Sequence, residues 1–441
     1  MPSLSAAAAA EQVVERARRR GDAAEVHAAE SEARPIQFEN NQLKCVHTKC
    51  TRALSVRLIH RGRIGFASTT DTSDPAGLLD RATASAAFGQ EAKFAFPGPL
   101  PYPDVAVYDP RVADFPIERG IELGREAIEQ VLSQYRDVQC YVEVNRSVGA
   151  ERLLNTSGLD VQMSLTGFES SLTAVRVGEG GLLWVSDGES SHALVADLPR
   201  YASKVIADIR LAEREAPVPA GARPVLFTAR AVSLLLQFIE SAVNGKLVQK
   251  GASPLTGRLG EQVLGAEVTL YDDGTRDYGD GSAPFDAEGT PAQRTPLFER
   301  GILRNYLVDL QTAGMLGRAA TGNAARAFAA APRPEATNLV LEPGSDSFAS
   351  LLAGIDRGLL VDDVLGGGHS NILAGEFSVN VGLGFLVEHG QIIGRVKDCM
   401  IAGNVFELFR RVRGIGSPQE THGSTVTPPV CFDGVHVAGG D

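Results

Sequence analysis

From Leu54 to Thr69 the chain alternates with a period of two. Leu54, Val56 and Leu58 share one face, Arg61-Gly62-Arg63 makes a turn, and Ile64 to Thr69 returns. Successive strand side chains point to opposite faces, so this ribbon is apolar on one side and must be covered. The segment from Pro75 to about Phe88 supplies a covering helix, with Asp74 placed to cap it. Ahead of the ribbon, Ala24 to Glu30, Ile36 to Glu39 and Gln42 to Lys49 read as strands, and Asn40-Asn41 as a hairpin. The Ala-rich opening segment ends in Arg18-Arg19-Arg20 before Gly21, cations where a helix C-terminus favours them.

Pro97, Pro99, Pro101 and Pro103 then interrupt regular structure and make a stiff connector over about 97–110. A helix-then-strands order recurs. Pro116 to Tyr135 repeats with helical period through Ile117, Ile121, Leu123, Ile128 and Leu132, strands follow around Asn155-Thr156-Ser157-Gly158, and Leu198 to Glu213 is helical again. The run Ala216-Pro217-Val218-Pro219-Ala220-Gly221 marks a boundary between an α+β domain (1–215) and a second domain (222–441). Beyond it, glycine turns such as Asp272-Asp273-Gly274 and Gly366-Gly367-Gly368 punctuate short strands. Only Ala229 to about Asn244 and Ser347 to about Arg357 read clearly as helices there. The second domain is mostly β and the whole chain is α+β, with Trp184 expected to pack against the first sheet.

The formal net charge of -12, with no basic stretch interleaved with aromatics, argues against nucleic acid as a partner. No segment approaches the roughly 20 apolar residues that span a bilayer, and no signal-like opening is present, so a cytoplasmic location is expected. Five cysteines, odd in number and mostly far apart, do not make a disulfide framework. Cys45, His47 and Cys50 do not read as a metal site. Strand alternation puts Cys50 on the face opposite Cys45 and His47, and no second ligand pair follows.

Other constellations have ordinary readings. Asp272-Asp273-Gly274 is a turn in which Asx side chains bond their own backbone. Gly366-Gly367-Gly368-His369 has neither the Lys of a P-loop nor a following dinucleotide pattern, yet such a segment beside a cleft would let a peptide backbone approach closely. Ser191-His192 lacks a nucleophile elbow, and Glu240 reads as an exposed helix residue.

An ordered series of motifs in the second half resembles the TldD/PmbA family, in its PmbA (TldE) branch. The series runs Leu259-Gly260-Glu261-Gln262-Val263, Thr269-Leu270-Tyr271-Asp272-Asp273, Pro284-Phe285-Asp286-Ala287-Glu288-Gly289, Glu299-Arg300-Gly301-Ile302-Leu303 and Thr321-Gly322-Asn323. It continues through Leu341-Glu342-Pro343-Gly344, Gly375-Glu376-Phe377 and Ile401-Ala402-Gly403-Asn404. Phe38-Glu39-Asn40-Asn41 and Gly65 to Asp71 extend the likeness into the first half.

The resemblance implies a zinc peptidase built from two related chains, of which only the TldD-like one carries an HExxxH helix and a C-terminal Cys ligand. This chain cannot supply that helix, because its closest histidines, His47 and His60, stand thirteen residues apart and none lies between His192 and His369. Counting back from the family motifs places the HExxxH positions at Leu236, Gln237 and Ser241 and the Cys position near Thr427, with Cys431 four residues later.

The expected role is therefore a subunit without metal, inactive alone, whose zinc-bearing TldD-like partner cleaves unfolded or extended peptides. Asp286, Glu288, Gly289, Gly366, Gly367, Gly368 and His369 are candidates for its substrate cavity. A peptide would add to an exposed strand edge, which the mostly β second domain is expected to offer. Two rivals stand beside this reading: a homodimeric peptide-binding or regulatory module with no peptidase attached, and an enzyme built on Asp272, Asp273 or His369.

Overall fold

The computed structural model describes residues 6–178, 181–327, 330–365 and 370–439. Helix α1 (Ala7–Arg20) buries Ala10, Val13, Val14 and Ala17 and ends at Gly21, whose φ of 73° suits a residue without Cβ. Seven strands follow: β1 (Ala23–Glu39), β2 (Gln42–Val46), β3 (Lys49–His60), β4 (Arg63–Thr69), β5 (Val138–Asn155), β6 (Asp160–Gly178) and β7 (Gly181–Ser191). They form one antiparallel sheet in the order β4-β3-β1-β5-β6-β7, with β2 paired to β1. Between β4 and β5 come α2 (Pro75–Ser85), the proline connector, α3 (Pro110–Ala113) and α4 (Ile117–Gln134); α5 (Leu198–Ala212) follows β7.

The expected ribbon and its cover are present. Leu54, Val56 and Leu58 are fully buried in one cluster with Leu78, Leu79 and Ala82 of α2, and Asp74 Oδ1 accepts from the Gly77 amide at 2.8 Å. Asn40 and Asn41 take φ values of 50° and 68° at the β1–β2 turn. The two short strands expected over Ala24–Glu30 and Ile36–Glu39 are one strand of 17 residues. Pro35 does not interrupt it, because on that side β3 pairing ends at Ala33 and β2 pairing starts at Ile36, so no ladder bond needs its missing N–H.

In the second lobe, β8 (Gly221–Phe227) pairs in parallel with Arg357–Leu365 and antiparallel with Val430–Gly439. Pairing continues through Glu376–Glu388 and Cys399–Asn404, so five strands close on themselves. A second sheet joins Ile302–Leu303, Arg294–Glu299, Leu270–Asp273, Leu339–Leu341, Thr425–Thr427 and Glu420–His422. Helix α6 (Ala229–Val243) leaves β8 directly, capped by Thr228, and buries Val232, Leu235, Leu236, Phe238 and Ile239.

Among the described residues four short helices escaped the sequence reading: α3, α7 (Gly245–Gln249), α8 (Leu310–Leu316) and Val405–Arg410. At seven residues or fewer, none repeats its apolar period often enough to be seen. The helix expected from Ser347 to Arg357 covers only Phe348–Ala353, since Arg357 already begins a strand.

The lobes share a core in which Leu226, Leu360, Phe385 and Cys431 pack with Val138, Phe168 and Tyr201. The connector joins them as well, through Tyr278 N to the Ala106 carbonyl at 2.7 Å and Ala106 N to Asp277 Oδ1 at 2.9 Å. Trp184 stacks on Tyr141 of β5 at 6.3 Å but stays 43% exposed, so it lies on the sheet rather than in the core. Among the described residues no helix is long and apolar enough to cross a membrane.

Candidate functional site

Strand β7 ends the first sheet, and its outer edge faces α6 and the hairpin Glu420–His422/Thr425–Thr427 across a cleft between the lobes. Two hollows of about 460 and 400 Å3 share Ser186, Asp187, Gly188, Glu189, Arg230 and His422. Arg230, Ser233, Gln237 and Ser241 recur on α6 at spacings of three and four, which puts them on one helical face. Arg230 and Ser233 line the hollow; Gln237 is exposed and Ser241 half-buried.

The cleft is polar and its charges are mostly paired. Arg200 reaches Glu189 at 3.2 Å, Asp187 at 3.8 Å and Asp197 at 3.6 Å, and His422 stands 3.4 Å from Glu420. The neighbouring His422 ring is the first cause holding the Glu420 carboxyl below its usual range. Arg230 Nη2 donates to Ser186 Oγ at 2.7 Å and Nη1 to the Ser186 carbonyl, while Arg395 Nη2 donates to the Leu182 carbonyl at 2.8 Å. Two carbonyls on the outer edge of β7 are thus held by guanidinium groups. By strand alternation, the peptide groups of Gly188 and Ser190 face the same way into the cleft.

The positions counted back from the family motifs fall beside this cleft. Helix α6 packs against Thr425–Thr427, so Leu236, Gln237 and Ser241 lie on the helix next to the strand that holds Thr427. Leu236 is fully buried in the core, and Thr427, also fully buried, donates to the Pro428 carbonyl at 3.1 Å. An alkyl group, an amide and two hydroxyls do not make a zinc site, which takes imidazole, thiolate or carboxylate ligands. Cys431 is 1% exposed in the strand that pairs with β8, and burial pushes its thiol up to about 12. Glu240 is half-buried rather than exposed as expected. Burial raises its carboxyl, against a bond from the Ala336 amide.

Asp286, Glu288 and Gly289 do not line this cleft. They sit where the lobes meet, at a buried ionic cluster that no local pattern of residues announces. Arg57 on β3 bonds Glu288 through Nη1 and Glu25 through Nη2, the latter at 3.2 Å; Arg326 bonds Glu25 at 2.5 Å and the Ala287 carbonyl. Phe94 and Phe96 pack on the Arg57 guanidinium at 4.7 and 5.2 Å. Asp286 accepts from the amides of Glu288, Thr290 and Ala324 at 2.8, 2.9 and 3.0 Å, and its carboxyl is raised by burial first and by Glu288 second. Gly289 has φ +78°, and a Cβ there would meet Leu159 Cδ2 at 2.4 Å. Partners so far apart in sequence left no pattern to read.

Asp272 and Asp273 serve different ends. Asp273 Oδ1 accepts from the Thr275 amide at 3.0 Å, the expected Asx turn. Asp272 is fully enclosed by Asn323 Nδ2 at 2.6 Å and by Thr337 N and Oγ1 at 2.7 and 2.8 Å, and burial pushes its carboxyl up to about 7. His192 is buried between the carbonyls of Thr166 and Ser282. Cys45 Sγ lies 3.8 Å from His47 Nδ1, and among the described residues no group of three or more His, Cys, Asp or Glu is arranged to hold a metal. Gly366, Gly367, Gly368 and His369 lie outside the described residues.

Comparison with known proteins bears on the same regions. The domain described as PmbA/TldA metallopeptidase C-terminal domain matches residues 220–439, and PmbA/TldA metallopeptidase domain 1 matches residues 24–87. The chain is 26% identical to an uncharacterized protein of Methanocaldococcus jannaschii over 90% of its own length and 92% of that protein. It is 25% identical to Metalloprotease PmbA of Escherichia coli O157:H7 over 95% and 93%. The match to Metalloprotease TldD homolog of Haemophilus influenzae, at 30% identity, spans 50% of that protein. The solved structure of TldE from Thermococcus kodakarensis superposes with a TM-score of 0.89 over 98% of this chain and 100% of the other, at 23% identity, and so shares the fold.

Proposed function

We propose that this chain, which belongs to the PmbA/TldD metallopeptidase family, is the subunit that holds no catalytic zinc and walls the substrate chamber of a zinc-bearing, TldD-like partner. The observation that carries the reading is α6: the positions where a catalytic helix would present its two imidazoles and the carboxylate between them hold Leu236, Ser241 and Gln237. The water-activating step then belongs to the partner.

This chain's part is to hold an extended peptide. The outer edge of β7, with its Gly188 and Ser190 peptide groups open to the cleft, is suited to strand addition, in which main-chain hydrogen bonds give affinity without much sequence preference. That edge belongs to the first sheet, whereas the sequence pointed to the second domain. Arg230 and Arg395 already occupy the carbonyls of Ser186 and Leu182, which limits the open stretch to the Gly188 end.

The test is metal analysis and peptidase assay of the purified chain, alone and with the HExxxH-bearing chain from the same cell. Alone it should carry no stoichiometric zinc and cleave nothing; the pair should show chelator-sensitive cleavage of an unfolded peptide. One zinc per pure chain would end this reading. A stable homodimer that gains no activity from any such partner would favour a binding module instead.

A further inference from the structure

We propose that the cavity beside α7 binds a small anion bearing a carboxylate or phosphate group. It measures about 240 Å3, lies between the lobes, and is lined by Arg57, Gln90, Lys246, Gln249, Lys250 and Asp309, among others. This site is independent of the peptidase reading, since none of these residues lines the β7 cleft.

The donor set is what points to an anion. Lys246 and Lys250 stand one helical turn apart and so share a face, where like charges repel unless an anion lies between them. Neither is within ion-pair distance of a carboxylate among the described residues. Arg57 is a third cation in the wall; its side chain is 4% exposed and its Nε has no partner. The carboxylates behind it, Glu25 and Glu288, are matched by Arg57 and Arg326, so that group of four is neutral. Two lysines then face a single acid, Asp309, whose Oδ1 is already taken by the Thr312 amide at 2.7 Å. The amides of Gln90 and Gln249 add uncharged donors. A positively biased, partly enclosed cavity of this size suits a compact anion rather than a peptide segment.

Calorimetric titration of the full chain at low salt, with inorganic phosphate and separately with succinate, tests the site. Saturable binding of at least one probe is expected, and the probe that binds identifies the anion class. The double variant Lys246→Gln/Lys250→Gln, altered only at exposed side chains, should raise Kd roughly tenfold or more. Asp309→Asn, which keeps a good helix cap while removing the one acid, should lower Kd. No binding of either probe, an unchanged Kd in the double variant, or weaker binding in Asp309→Asn would each overturn the assignment.

Discussion

Replacing Arg57 by Met tests the ionic cluster that joins the lobes. Glu25 and Glu288 have fully buried side chains, and both meet Arg57. Glu25 keeps Arg326 at 2.5 Å after the substitution, whereas Glu288 retains only the Leu310 amide at 2.6 Å. The loss therefore amounts to one uncompensated buried charge, about 3–5 kcal/mol, with about 1 kcal/mol more for the contacts to Phe94 and Phe96. A chain of 441 residues, at about 2.1 cal/mol/K per residue, has an unfolding entropy of about 0.9 kcal/mol/K, so the thermal midpoint should fall by about 4–6 °C. Scanning calorimetry at pH 7 measures this. The double variant Arg57→Met/Glu288→Gln removes the stranded charge yet keeps an acceptor for Leu310, so it should recover most of the loss. A fall under about 1 °C in the single variant, or a double variant as unstable as the two singles added, would refute the argument.

Two further predictions concern neighbouring positions. Burial raises Asp272 to about 7, so the fold favours its neutral form; the stability this gives is complete below the ordinary carboxylate pKa of about 4 and lost as pH rises through about 7. Asp272→Asn cannot titrate, so urea midpoints should show the wild-type advantage shrinking between pH 4.5 and 7.5; an advantage that grows would contradict the assignment. Gly289→Ala puts a Cβ on a backbone with φ +78° and 2.4 Å from Leu159 Cδ2, for a cost of about 2–4 kcal/mol and a similar fall in degrees of the melting midpoint. A midpoint equal to wild type would show that Leu159 yields freely.

Much of the local structure was legible because it depends on near neighbours. The period of two at Leu54, Val56 and Leu58, the caps at Asp74 and Gly21, and the Asn40-Asn41 turn all follow from adjacent residues. The missing imidazole pair was equally plain, since ligands on one helix must lie within a turn of each other. The short helices α7 and α8 were not legible, and neither was the continuity of β1 through Pro35, which depends on where two partner strands stop and start.

What the sequence determined by itself was the family, the α+β class and the lack of an HExxxH helix, all of which rest on residue identity and short spacing. Only the tertiary structure decided that Asp286 and Glu288 sit in an interlobe cluster, away from the β7 cleft, and that the edge of β7 meets the polar face of α6. Arg57 and Glu288 are separated by 231 residues and Glu25 and Arg326 by 301. Burial and pairing over such distances come from strand register and lobe packing, and no local pattern of side chains encodes them.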